Sequence, residues 1–168
     1  MKPFFFSLII LLCFTLFQVA VLSNIYILPV VPDLLLICVL YLSVQNGRLF
    51  GVASGFCSGL FLDFLSTGPF GFHCLLRTII GYFFGFFNKT LNISGFVFPF
   101  ILGLASTVLK FLLIWLICVF YTNLDISVNF FSVNFLKEMI FNAVLVPIMF
   151  KFMNIFSNSI VLTPEKVN

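Results

Sequence analysis

From Phe96 to Tyr121 the chain reads FVFPFILGLASTVLKFLLIWLICVFY, an apolar run whose one charge is Lys110. A run of this length covers the roughly 20 residues that a helix needs to cross a bilayer core. Comparable runs recur along the chain, each bounded by Pro, Gly, Asn or a charge. They predict helices near residues 4–23, 33–46, 49–65, 70–87, 95–121 and 138–157. The fold class expected is therefore all-α: a bundle of about six transmembrane helices forming one polytopic domain over residues 1–168. The second span, PDLLLICVLYLSVQ, is short for a full crossing. It is either a steep helix extended by its flanks or a partly re-entrant one. Composition agrees with a membrane solvent, since only 8% of the residues are charged where soluble domains hold about 25%. The 27 Phe residues carry no functional weight, because Phe, Leu and Ile serve almost equally well against lipid.

The few charges orient the chain. With the N-terminus inside, Lys2, Arg48, Lys89 and Lys166 fall on the cytoplasmic side and Lys151 near the inner end of the last span, leaving Lys137 opposite. That asymmetry predicts that both termini are cytoplasmic. Asp33, Asp63, Asp125 and Glu138 then lie toward the outer face. The net charge of +3 reports topology, and no basic run suits a nucleic acid. The apolar stretch after Met-Lys-Pro is longer than a signal core and lacks a small-x-small cleavage site, so it reads as an uncleaved first helix.

Catalytic patterns are absent from the sequence. Cys13, Cys38, Cys57, Cys74 and Cys118 form no C-x-x-C pair, so neither metal nor disulfide chemistry is expected of them. GVASG and GFCSG each have one residue too many for a G-x-S-G serine context. His73, the one histidine, reads as a polar anchor at the start of the fourth span. The sequons at Asn88 and Asn92 fall in a connection placed on the cytoplasmic side. No enzyme activity and no cofactor are expected.

What remains is a pattern for packing. Gly51, Gly55 and Gly59 recur every fourth residue, Asp63 follows in the same register, and the run breaks at Gly68-Pro69-Phe70-Gly71. Four residues is slightly more than one helical turn, so the glycines make a bare stripe where another helix can approach to backbone contact. Gly81 and Gly85 repeat the device on the fourth span, and a turn at Pro69 and Gly71 makes the two spans antiparallel. The two stripes either face each other or receive a helix from another protein. Asp63 and Arg77 lie equal distances either side of Phe70, which brings them to similar depth, either as an ion pair or with Asp63 capping or snorkelling alone. Lys110 lies well inside the fifth span and needs an acid, a cavity or a route to the interface, with Asp63 or Asp33 as candidate partners.

The ordered pattern of PDLLL from Pro32, NGRLFGVASGFCSGLFLDFLSTGPFGFH, and IIGYFFG at 79–85 resembles the rod shape-determining protein MreD family. The resemblance implies a noncatalytic scaffold of the bacterial cell-wall elongation machinery. Its implied partners are an MreC-like membrane protein, RodA, a class B penicillin-binding protein and the filament protein MreB, with membrane lipid around it. It also implies a fold similar to the substrate-binding subunits of energy-coupling-factor transporters. That fold keeps a second function open, a small-molecule uptake subunit with Asp33, His73, Arg77 and Lys110 lining its cavity. On the scaffold reading, Gly51 to Asp63 shape a helix-packing surface.

Overall fold

The computed structural model describes residues 2–24, 31–66, 68–88, 95–120 and 133–162. The expectations attached to Lys89, Asn92, Asp125 and Lys166 fall outside these residues. The described chain is helical, with no strand among its residues. Six helices make the bundle: α1 (Lys2–Ala20), α2 (Leu34–Asn46), α3 (Arg48–Leu65), α4 (Phe72–Gly85), α5 (Val97–Phe120) and α6 (Val133–Ile155). A 3-10 turn (Leu22–Asn24) follows α1, and a short α7 (Ser157–Ile160) follows α6. Four of them, α1, α3, α5 and α6, are long and apolar enough to cross a membrane. At 1.5 Å per residue, α2 and α4 are only about 20 Å long.

The short second span is the centre of the bundle. Every residue from Leu34 to Val44 is buried, and α2 is touched by α1, α3, α4, α5 and α6. A helix that is apolar all round belongs inside, which is what LLLICVLYL encodes. Its start is set by Asp33, whose carboxylate accepts from the Leu36 N–H at 3.1 Å as an N-cap. Its end is set by Gly47 at φ +91°, whose N–H donates to the Ser43 carbonyl before the chain turns straight into α3. The Asn88 side chain closes that end by donating to the Val44 and Gln45 carbonyls at 2.8 and 2.6 Å.

Around α2 stand two helix hairpins, α3–α4 and α5–α6, each packed more extensively within itself than against any other element. The first closes at Gly71, which takes φ +91° in the left-handed region, and the Phe72 N–H donates to the Pro69 carbonyl. α1 lies against α2 and α3, with Phe4 meeting Phe50 edge to face at 5.7 Å. At the opposite end of α1, Gln18 accepts from the Leu35 N–H at 3.2 Å. α6 begins at Val133, five residues before the expected start at Glu138. The expected boundary rested on a charge marking a span end, whereas Glu138 lies inside the helix against a lysine.

Candidate functional site

The five glycines singled out in the sequence meet along one seam. A Cβ placed on Gly51 would overlap the backbone of Gly81, one on Gly55 that of Arg77, and one on Gly59 that of Cys74. Gly81 faces Gly51 in return, and Gly85 faces Arg48. Each stripe thus forms the other's groove, and the close approach replaces the hydrophobic drive that lipid does not supply. Ser54 and Ser58, buried in the same helix, donate back to the Gly51 and Gly55 carbonyls at 3.1 and 2.9 Å. No hydroxyl is left open at the seam by these two residues.

Asp63 and Arg77 do not pair. The Asp63 carboxylate instead accepts from three backbone N–H groups at the start of α4, those of Gly71, His73 and Cys74, each at 3.0 Å. Those donors are the ones a helix N-terminus leaves without intrahelical partners, and the macrodipole favours a carboxylate there. Depth in sequence brings Asp63 level with the start of α4, and the nearest donors at that level are backbone. His73 thus serves the cap through its own N–H.

Arg77 turns toward the centre of the bundle. Its Nη2 lies 2.6 Å from Asp33 Oδ1, with only 3% of the arginine side chain exposed. Lys110 reaches the same carboxylate, its Nζ 3.0 Å from Asp33 Oδ2 and 2.7 Å from Glu138 Oε1. Four charges from α4, α5, α6 and the cap of α2 therefore form a cluster of zero net charge. Neutral groups extend it: Asn142 Oδ1 accepts from the Asp33 N–H at 3.1 Å, and its Nδ2 donates to Thr107 at 3.3 Å. Pairing of this kind is what makes ionisable side chains tolerable in a membrane protein. Removing one partner of a buried pair typically costs about 3–5 kcal/mol. One donor stands apart, since Arg77 Nη1 is buried and has no hydrogen-bond partner.

Glu138, Asn142 and Thr107 were not singled out as members of this centre. The charge of Glu138 reads in the sequence as the outer start of the last span. Asn142, an amide set within the apolar stretch MIFNAVLVPIMF of α6, is the available signal. Among the described residues no group of three His, Cys, Asp or Glu side chains is arranged to hold a metal ion. The five cysteines remain thiols.

A separate apolar feature lies between α1 and α6. A groove of about 500 Å³ is lined by Phe14, Phe17, Leu34, Met149 and Phe152. It shares Cys13, Phe14 and Phe152 with a second depression of about 240 Å³ that continues beside Phe6, Met153 and Ile160.

Comparison with known proteins gives one finding. The family model for rod shape-determining protein MreD matches residues 2–156. Neither a curated protein nor a solved structure shows a significant match.

Proposed function

The chain belongs to the rod shape-determining protein MreD family, and from that premise we propose that it is a noncatalytic scaffold of the inner-membrane complex that builds the lateral cell wall. Membership gives the coarse role, a membrane protein of rod shape determination. The finer reading is that the bundle holds the single membrane helix of an MreC-like partner, so that the partner's extracytoplasmic part is positioned beside RodA and a class B penicillin-binding protein. MreB would lie on the cytoplasmic side, where both termini are placed by the positive-inside asymmetry. The family match over residues 2–156 carries this reading. The commitment of Asp33, Arg77, Lys110 and Glu138 to one another supports a structural use of the intramembrane charges.

Because the glycine stripes are occupied by each other, the partner's helix needs another face. We assign it the groove between α1 and α6. That groove runs past Phe6, Phe14 and Phe17, through the middle of the α1 span. A crossing helix would fill such a track throughout, whereas a lipid chain stays within one leaflet of about 15 Å. Met149, half-buried at the groove wall, suits an adaptable contact. A photo-crosslinking residue at Phe14 or Phe152, with Leu116 on the exposed face of α5 as the control, tests the assignment. Adducts with a single-span protein are expected from the groove and not from Leu116. Adducts from Leu116 alone would move the contact to α5.

A further inference from the structure

We propose that the α5–α6 hairpin is a charge-balanced unit that docks on α2 and α4 through one shared carboxylate, Asp33, and that the bundle can open along this seam without stranding a charge on either side. The inference concerns motion and does not depend on which partner the protein binds.

The ion pairs divide by unit. Asp33 and Arg77, 2.6 Å apart, belong to the α1–α4 part, and Lys110 and Glu138, 2.7 Å apart, belong to the hairpin. Each pair sums to zero. Among the described residues, the salt bridge that crosses from one unit to the other is Lys110 to Asp33, at 3.0 Å. Other polar contacts over the same seam are the Asp33 N–H to Asn142 at 3.1 Å and a long bond from the Tyr41 hydroxyl to Asn154 at 3.4 Å. Past the end of α6 the Asn46 side chain of α2 donates to the Ile160 carbonyl at 3.2 Å and accepts from the Leu162 N–H at 2.6 Å, which makes that end the hinge. Separation therefore removes a bridging contact while each charge keeps its own partner, which avoids the large cost of a bare charge in lipid.

The units are also internally tied. α5 and α6 meet where Gly103 abuts Ala143 and Val146, where Thr107 bonds Asn142 and where Phe111 meets Phe135 at 4.5 Å. α3 and α4 are joined along the glycine seam. Against this, the hairpin touches α2 and α4 less extensively than its two helices touch each other.

The unpartnered donor on Arg77 gives the open state its compensation. In the docked state Arg77 uses Nη2 on Asp33 Oδ1, Nη1 is idle, and Lys110 occupies Asp33 Oδ2. A guanidinium and a carboxylate prefer two parallel bonds. Release of Lys110 frees the second oxygen for Nη1, so the Arg77–Asp33 pair can close into a fork as the hairpin leaves. Lys110 meanwhile keeps Glu138.

Two measurements test this. In the first, three neutral double variants are compared by the amount of folded protein recovered from membranes. Asp33→Asn/Arg77→Gln and Lys110→Gln/Glu138→Gln each remove one unit's own pair. Asp33→Asn/Lys110→Gln removes the same net charge across the seam and strands Arg77 and Glu138 on opposite sides. The within-unit doubles should accumulate near the wild-type level and the cross-seam double should be lost. Equal recovery of all three, or loss of the within-unit doubles, overturns the proposal. In the second, the protein is reconstituted in lipid nanodiscs with ketoxime spin labels on p-acetylphenylalanine at Leu75 of α4 and Leu112 of α5, both exposed, leaving the native cysteines in place. Pulsed electron–electron resonance should give a main distance and a longer minor one. The longer population should grow in Lys110→Gln/Glu138→Gln and shrink in Arg77→Lys, which keeps the charge but has no fork. A single distance unmoved by either change overturns the proposal.

Discussion

The hairpins α3–α4 and α5–α6 solve the same problem by different means. Both must hold two antiparallel helices together where burying apolar surface gains little, because lipid is as apolar as leucine. In α3–α4 the answer is bare backbone, with Gly51, Gly55 and Gly59 meeting the backbone of α4, and the one nearby carboxylate, Asp63, used as a helix cap. In α5–α6 one glycine, Gly103, is followed along the helix by Thr107 and Lys110, which meet Asn142 and Glu138. A backbone contact has no room for change, whereas polar side chains can exchange partners. The first hairpin is thus suited to be the fixed part of the bundle and the second to be the adjustable part.

The sharpest way to break this comparison is to put a side chain into the glycine seam. Gly55→Leu has nowhere to place its Cβ except in the Arg77 backbone, and overpacking that backbone cannot relax should exceed the 1–3 kcal/mol usual for soluble cores. Loss of folded protein from membranes is expected, read by fluorescence-detected size exclusion of a tagged variant. Normal folding with loss of a partner would return the stripe to the role of a docking surface. Next in size is Lys110→Gln, which strands Glu138 while Asp33 keeps Arg77 and should cost roughly 3–5 kcal/mol, measured as a lowered thermal midpoint in detergent.

Asp63→Ala removes the acceptor of three N–H groups and should lower stability by about 2 kcal/mol, the upper part of the range for N-caps. A variant as stable as wild type would show that water replaces the cap. The smallest effect is expected for Asn142→Ala, about 1 kcal/mol, since Asp33 keeps Arg77 and Lys110. If the hairpin is adjustable, that variant should also widen the distance between labels on α4 and α5 while leaving the α3–α4 seam unchanged.

Much of the helical architecture could be read before any coordinates, and the site only in parts. The span boundaries came from Pro, Gly, Asn and charge, and the glycine stripes from a period of four, because both signals are local. The partner of Asp63 was not local in the same sense. Symmetry about Phe70 gives depth along the membrane normal but not direction around the helix, so Arg77 looked as close as the backbone donors that Asp63 meets. Lys110 declared itself by its cost in an apolar run, and Asp33 was among its candidate partners. Glu138 reads as the outer start of the last span because charges elsewhere mark span ends, and only the packing of α5 on α6 brings it inside. The short second span held the opposite lesson: LLLICVLYL is too short to cross alone yet apolar enough on every side to become the centre.

The central claim, that this chain is a scaffold of the rod complex, is tested most directly by purifying the tagged protein from its native membrane in mild detergent and identifying by mass spectrometry what comes with it. The account expects an MreC-like single-span protein, with RodA or the class B penicillin-binding protein in the same fraction. Recovery of a transporter ATPase pair with none of these would contradict it.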